Sequence, residues 1–231
     1  MIIKHVENKQ AGSELAAELF AQTSNENPGK PIGLATGETM RGVYAHLSKI
    51  GYTPETSNAF ALDEYLGVEK ADPNSYSFEL TTSFCQLLNW KGRLHVPGQD
   101  EYSGEQGLER FERAHLELGP LSVQLLGFGV NGHIAFNEPG SDLDSLTRIV
   151  DLHEQTRIAN SRFFDSLDEV PTQAYSQGLA TIKRASSILL LVFGEQKKQA
   201  LLEALNETTG SSPLSALKDH ENLTLITDEQ I

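Results

Sequence analysis

The sequence predicts an α/β fold in three layers, a mostly parallel central sheet covered by helices on both faces. Three observations lead there: short apolar runs recur along the chain, amphipathic helical stripes separate them, and the runs lack the polar alternation of half-exposed strands. The runs are IIKHV (2–6), PIGLA (31–35), NAFAL (58–62), LSVQLLGFG (121–129), SSILLLVFG (186–194) and LTLIT (223–227). With 231 residues, 39% hydrophobic and 22% charged, and no repeat or flexible linker, the chain reads as a single domain over 1–231.

The helical stripes lie between the runs. Met40, Val43, Tyr44 and Leu47 recur at i, i+3, i+4 and i+7, and Leu108, Phe111, His115 and Leu118 form a similar set. So do Phe78, Thr81, Phe84 and Leu88. A helix carrying Ala200, Leu201 and Leu205 follows EQKK, and Ser212 with Pro213 resembles the N-cap and first turn of one more.

Composition excludes several classes. No apolar run approaches the roughly 20 residues that span a bilayer. The opening MIIKHVENKQAGSE lacks the pattern of a secretion signal, and the single Cys85 rules out an internal disulfide or an all-cysteine metal site. A formal charge of −14 argues against a nucleic-acid partner. The expectation is a cytoplasmic protein without a membrane partner, acting on a small molecule, with any anion site assembled locally from backbone N–H groups and a few cations.

Parallel sheets bind ligands beyond the carboxyl ends of their strands, so the residues after each run carry the functional expectation. After PIGLA, the residues Thr36, Gly37, Glu38 and Thr39 form a strand–loop–helix junction with Thr39 as N-cap; this is either a phosphate seat or a capped turn. After NAFAL, Asp63 falls at the sheet edge with Glu64 and Tyr65, as a functional carboxylate or a turn cap. Lys197 and Lys198 fall in a first helical turn, where the dipole disfavours them unless an anion is bound. SLTRIVDLHEQTRIANSRFFDSLDEVP, with Arg148, Arg157 and Arg162, reads as a surface helix pair or a mobile flap.

The stretch GFGVNGHIAFNEPG carries Gly127, Gly129 and Gly132 in the spacing of a dinucleotide cradle. The context fails: Pro139 and Gly140 stop any helix within two turns, and no convincing strand precedes Asp151. Without a nicotinamide or flavin, the glycines serve instead to turn the backbone and expose His133, with Asn131 beside it and Glu138 five residues on as its carboxylate partner.

GVNGHIAFNEP, LDEYLG, LATGET and TRIANSRFF together resemble the glucosamine/galactosamine-6-phosphate isomerase family, from about Ile3 to Leu225. The resemblance implies a modified Rossmann-like fold, no redox cofactor or catalytic metal, and conversion of glucosamine 6-phosphate and water to fructose 6-phosphate and ammonia, an isomerising deamination of hydrolytic outcome. It implies that Asp63 is the base moving a proton between C2 and C1, that His133 helps open the sugar ring and that Glu138 is its acidic partner. It further implies that Thr36, Gly37, Glu38 and Thr39 hold the phosphate with Arg162 and Lys197, and that residues 147–172 form a mobile lid.

Departures accompany the likeness. Asn131 stands where well-studied members have Asp, and Glu38 stands where many have Gly, so its side chain must point away from the phosphate. Ser141 and Arg148 remain from the activator site of larger members, but Asp142 and Val150 replace its second Ser and its Lys. A short, non-allosteric enzyme is expected, as a monomer or small homo-oligomer, with no response to N-acetylglucosamine 6-phosphate. The rival enzyme is 6-phosphogluconolactonase, which has DER where this chain has DEY and a Ser-containing stretch where it has AFNEP; a rival of another class is a sugar-phosphate-sensing effector domain, for which no basic helix-turn-helix precedes the first strand.

Overall fold

The computed structural model describes residues 1–161 and 164–231. β1 (Ile2–His5) leads to α1 (Lys9–Asn25), capped by the Asn8 side chain accepting from Ala11 N–H; β2 (Ile32–Leu34) leads to α2 (Glu38–Lys49). Next come β3 (Asn58–Ala61), β4 (Asp63–Tyr65), and α3 (Tyr76–Leu80), which a π-helical turn extends to Gln86. β5 (Arg93–His95), α4 (Gly104–Glu117) and β6 (Gln124–Gly127) follow, then β7 (Arg148–Asp151), α5 (Glu154–Asn160) and β8 (Gln173–Ser176). α6 (Leu179–Lys183), β9 (Ile188–Val192), α7 (Lys198–Asn206) and β10 (Leu223–Thr227) complete the chain.

Among the described residues the main sheet has seven strands, all parallel, in the order β1-β10-β9-β6-β2-β3-β5. The six apolar runs are six of these strands. The five residues of ILLLV in β9 are all buried, as a strand covered on both faces requires. From β2 the chain builds outward through β3 to β5, then returns to lay β6 on the other side of β2 and builds through β9 to β10. The order therefore reverses between β2 and β6, which is where such sheets open a crevice for a ligand.

A second, antiparallel sheet of order β4-β8-β7 stands beside this crevice. The chain leaves the main sheet at Leu62, and Gln177 clamps that departure: its N–H donates to the Leu62 carbonyl and its side-chain amide to the Ala61 carbonyl, both at 2.8 Å. The described residues of 152–172, which include α5 and Phe164, hang between β7 and β8. The stretch expected as a surface helix pair or a mobile flap begins with a strand, β7, which carries Arg148.

The core runs under both helical layers. Met40, Val43, Tyr44 and Leu47 are buried on α2 as their spacing predicts. Other stripes need correction at their ends. Leu118 and Phe78 are exposed, and before the π-helical turn the buried positions are Ser77 and Leu80 instead of Phe78 and Thr81. Ser212 does cap a following turn, but Pro213–Ala216 is a short 3-10 segment. A smaller apolar cluster of Tyr65, Phe136 and Ala174, with Tyr76, Leu152 and Phe164 against it, joins the hanging segment to the rest. Among the described residues no helix is long and apolar enough to cross a membrane.

Candidate active site

Four neighbouring strands, β9, β6, β2 and β3, end on the same edge of the main sheet, since all run parallel. The residues that follow them are Lys197, His133, the Thr36–Thr39 loop and Asp63, in that order across the crevice. Asp63 and His133 follow the two strands that flank β2, so both stand at the same edge of the sheet with one strand between their origins.

Asp63 opens β4 opposite Ser176 and is buried. Burial, then the nearby carboxylates of Glu64 and Glu79, push its carboxyl up to about 8. The adjacent Glu64 has another task. Its carboxylate accepts N–H bonds from Tyr65, Tyr76 and Ser77 at 2.9, 3.0 and 2.9 Å, which ties β4 to the first turn of α3. Glu64 therefore fixes the strand that Asp63 stands on.

After β6 the glycines turn the chain as expected. A β-carbon on Gly129 would collide with the His133 ring, and Gly132 has φ +89°. Ile134 and Asn137 exchange backbone hydrogen bonds at 3.1 and 3.0 Å around Ala135, itself left-handed at φ 52°, so Glu138 folds back toward Asn131. Asn137 pins this turn by donating to the carbonyls of Ile134 and Gln177, while its Oδ1 accepts from Arg148 at 2.9 Å.

The outcome is a relay. Asn131 donates from Nδ2 to Glu138 Oε2 at 2.6 Å, and its Oδ1 lies 2.7 Å from His133 Nδ1. An ionised carboxylate can only accept, so the amide orientation is set, and Oδ1 must then receive a proton from Nδ1. His133 Nε2 is left with its lone pair free for a ligand. Burial lowers the proton affinity of His133, Glu138 works against that, and Lys197 adds to it.

At the start of α2 one expectation is corrected. Gly37, at φ +103°, occupies the cap position, and Thr39 lies inside the first turn; the backbone there suits glycine, which a threonine cap would not provide. Glu38 turns to Lys9 of α1, with Nζ–Oε1 2.6 Å. Tyr44 holds the loop from behind, its hydroxyl donating to the Ala35 carbonyl at 2.7 Å. Sequence reasoning misses Glu79 here. Its carboxylate accepts the Gly37 N–H at 2.8 Å and pairs with Arg41 at 3.0 Å.

Lys197 stands immediately before α7, and burial together with the charge of Lys9 lowers its proton affinity. Arg162 lies outside the described residues. Two further contacts carry no sequence pattern: Thr156 of α5 donates to Glu138 Oε1 at 2.6 Å, and Lys9 reaches from α1 to Glu38. Among the described residues no group of three or more His, Cys, Asp or Glu could hold a metal ion.

Comparison with known proteins identifies the family. Residues 6–226 match the family described as glucosamine-6-phosphate isomerases/6-phosphogluconolactonase. The chain is 39% identical over 235 residues to the glucosamine-6-phosphate deaminase of Oceanobacillus iheyensis, covering 99% of this chain and 94% of that protein. Its structure is similar to that of a monomeric glucosamine-6-phosphate deaminase, with TM-score 0.92, 37% identity, and 98% and 97% of the two chains covered. A 6-phosphogluconolactonase from Shewanella baltica OS155 shares the fold at TM-score 0.77 but only 17% identity, over 98% and 97%.

Proposed function

Because the chain belongs to the family of glucosamine-6-phosphate isomerases and 6-phosphogluconolactonases, we propose that it is a glucosamine-6-phosphate deaminase, releasing fructose 6-phosphate and ammonia. The deaminases are its close relatives, whereas the lactonase shares only the fold. The observation that carries the assignment to residues is the placing of a buried carboxyl, Asp63, one strand away from an imidazole whose Nε2 is free.

In this reading the phosphate sits at the start of α2, on the N–H groups of the Thr36–Thr39 loop, with Lys197 and Arg162 as its cations. The sugar then reaches across β2. His133 Nε2 exchanges the proton that opens the ring, and Asn131 and Glu138 hold its tautomer and support the charge it gains. Asp63 takes the C2 proton of the open-chain aldehyde and returns it to C1, while the nitrogen loses one proton and O1 gains one. The product is a C2 imine. Water adds to it and ammonia leaves, so the net change is hydrolytic although the step served by Asp63 is an isomerisation. A substrate ammonium beside Asp63 favours the carboxylate, which offsets the burial that raises its pKa.

In this reading residues 147–172 form the lid, and among its described residues Phe164 packs against Tyr65, with ring centroids 5.7 Å apart. The test is direct: ammonia and fructose 6-phosphate are measured with glucosamine 6-phosphate, in chelator and without nucleotide, beside a parallel assay of 6-phosphogluconolactone hydrolysis. Ammonia release with no lactonase activity supports the proposal. Lactone hydrolysis without ammonia overturns it.

A further inference from the structure

The deaminase reading leaves a residue on the hanging segment without a task. Thr156, on α5, is 5% exposed, and its hydroxyl donates to Glu138 Oε1 at 2.6 Å. The other oxygen of that carboxylate is held by Asn131, also at 2.6 Å, and Asn131 in turn holds His133 at 2.7 Å. Thr156, Glu138, Asn131 and His133 thus form one continuous chain of hydrogen bonds, and three of its members come from the loop after β6. Thr156 alone belongs to the segment between β7 and β8.

Resting on the deaminase reading, we infer that Thr156 is a positioning residue that couples the seating of the lid to the proton relay. With α5 down, both Glu138 oxygens are filled and the carboxylate has one orientation. It then offers Asn131 an acceptor that fixes the amide, and the amide fixes the His133 tautomer. With α5 lifted, Glu138 loses a donor and can rotate away from Asn131, so the amide is free to flip and Nε2 is no longer reliably the proton acceptor. The relay is therefore assembled only when the site is covered. Ring opening is confined to a substrate already shielded from water.

Three variables separate this from simple packing. Val is nearly isosteric with Thr and lacks the hydroxyl; Ser keeps the hydroxyl and lacks the methyl. Thr156→Val is expected to lower kcat for glucosamine 6-phosphate by about tenfold or more, with KM within about threefold, as expected for a group that orients an acid–base catalyst. Thr156→Ser is expected to stay within about threefold of the parent in both. Nitrogen NMR of the His133 imidazole gives the third variable. Its titration faces Glu138 and Lys197, and the loss of a fixed Glu138 is expected to move its midpoint down in Thr156→Val but not in Thr156→Ser.

Equal losses in Val and Ser, or a lowered kcat with an unmoved imidazole titration, make Thr156 a packing residue and overturn the inference. Parent-like behaviour of Thr156→Val does the same. The NMR readout needs no turnover, so a shifted His133 titration in a protein that releases no ammonia would sink the deaminase reading and leave the coupling in place.

Discussion

His133 Nδ1 and Glu138 Oε2 lie 3.8 Å apart, too far for a hydrogen bond, and the Asn131 carboxamide spans the gap. The imidazole thus meets a neutral acceptor, with the negative charge one residue removed. Replacing Asn131 by Asp brings a carboxylate into contact with the ring and takes away the donor that holds Glu138. An opposite charge at this range favours the protonated imidazole. Asn131→Asp is therefore expected to raise the His133 titration midpoint and to move the acid limb of kcat/KM upward in pH with it. An unchanged midpoint would mean that Asn131 does not stand between the two groups in solution.

Asp63 couples turnover to stability. Asp63→Asn keeps shape and burial but cannot accept the C2 proton, so turnover is expected to fall by about 10³-fold while inhibitor binding stays near the parent value. Because burial raises Asp63 to about 8, its contribution to stability is complete below the unfolded-state pKa and is lost as pH rises through about 8. The variant has no such dependence. Its melting temperature should gain on the parent between pH 5 and pH 9, and kcat/KM of the parent should climb through about pH 8. A constant difference in melting temperature across that range would contradict a buried, protonated Asp63.

How much of this is legible in the sequence depends on burial and chain length. The six apolar runs announce strands because a strand covered on both faces tolerates few polar residues, as ILLLV does in β9. RLH of β5 and DEY of β4 are three residues long, and QAYS and RIVD mix polar with apolar, so no period emerges. Asp63 and His133 are legible because strand ends in a parallel sheet point to the ligand edge. Glu79 is not, because the π-helical turn after Leu80 changes the phase of the buried stripe and leaves Phe78 facing out. Thr156 and Lys9 reach the site only through space, which local spacing cannot encode.

Glu79 bears on anion binding. The phosphate proposed for the start of α2 meets a carboxylate already seated on the Gly37 amide and paired with Arg41. That contact competes for the same N–H and repels the same charge. Glu79→Gln keeps the size, weakens the competition and frees Arg41. Inorganic phosphate, titrated by calorimetry, is expected to bind the variant about three- to tenfold more tightly, and the KM for glucosamine 6-phosphate is expected to fall. Weaker phosphate binding in Glu79→Gln would instead make Glu79 a support of the Gly37 loop.

Acid stability should depend on two buried histidines that pack on Phe60. His115 of α4 is 2% exposed beside Phe60 and Phe111, with both ring nitrogens lacking a hydrogen-bond partner. His95 stacks on the same Phe60 at 4.4 Å and is bonded to Tyr102 and Asn58. Burial lowers each to about 4. Both are neutral in the fold, so their contribution to stability is complete above the unfolded-state value of about 6.5 and disappears as pH falls toward 4. A buried imidazole without partners also carries a desolvation cost at neutral pH, on the order of 1–3 kcal/mol. His115→Leu keeps comparable volume and removes both effects. Chemical denaturation should find the variant as stable as the parent or more so at pH 7, by about 1 kcal/mol, with a smaller loss between pH 6.5 and pH 4. A variant clearly weaker at pH 7 would show that His115 has a partner in solution, such as a buried water.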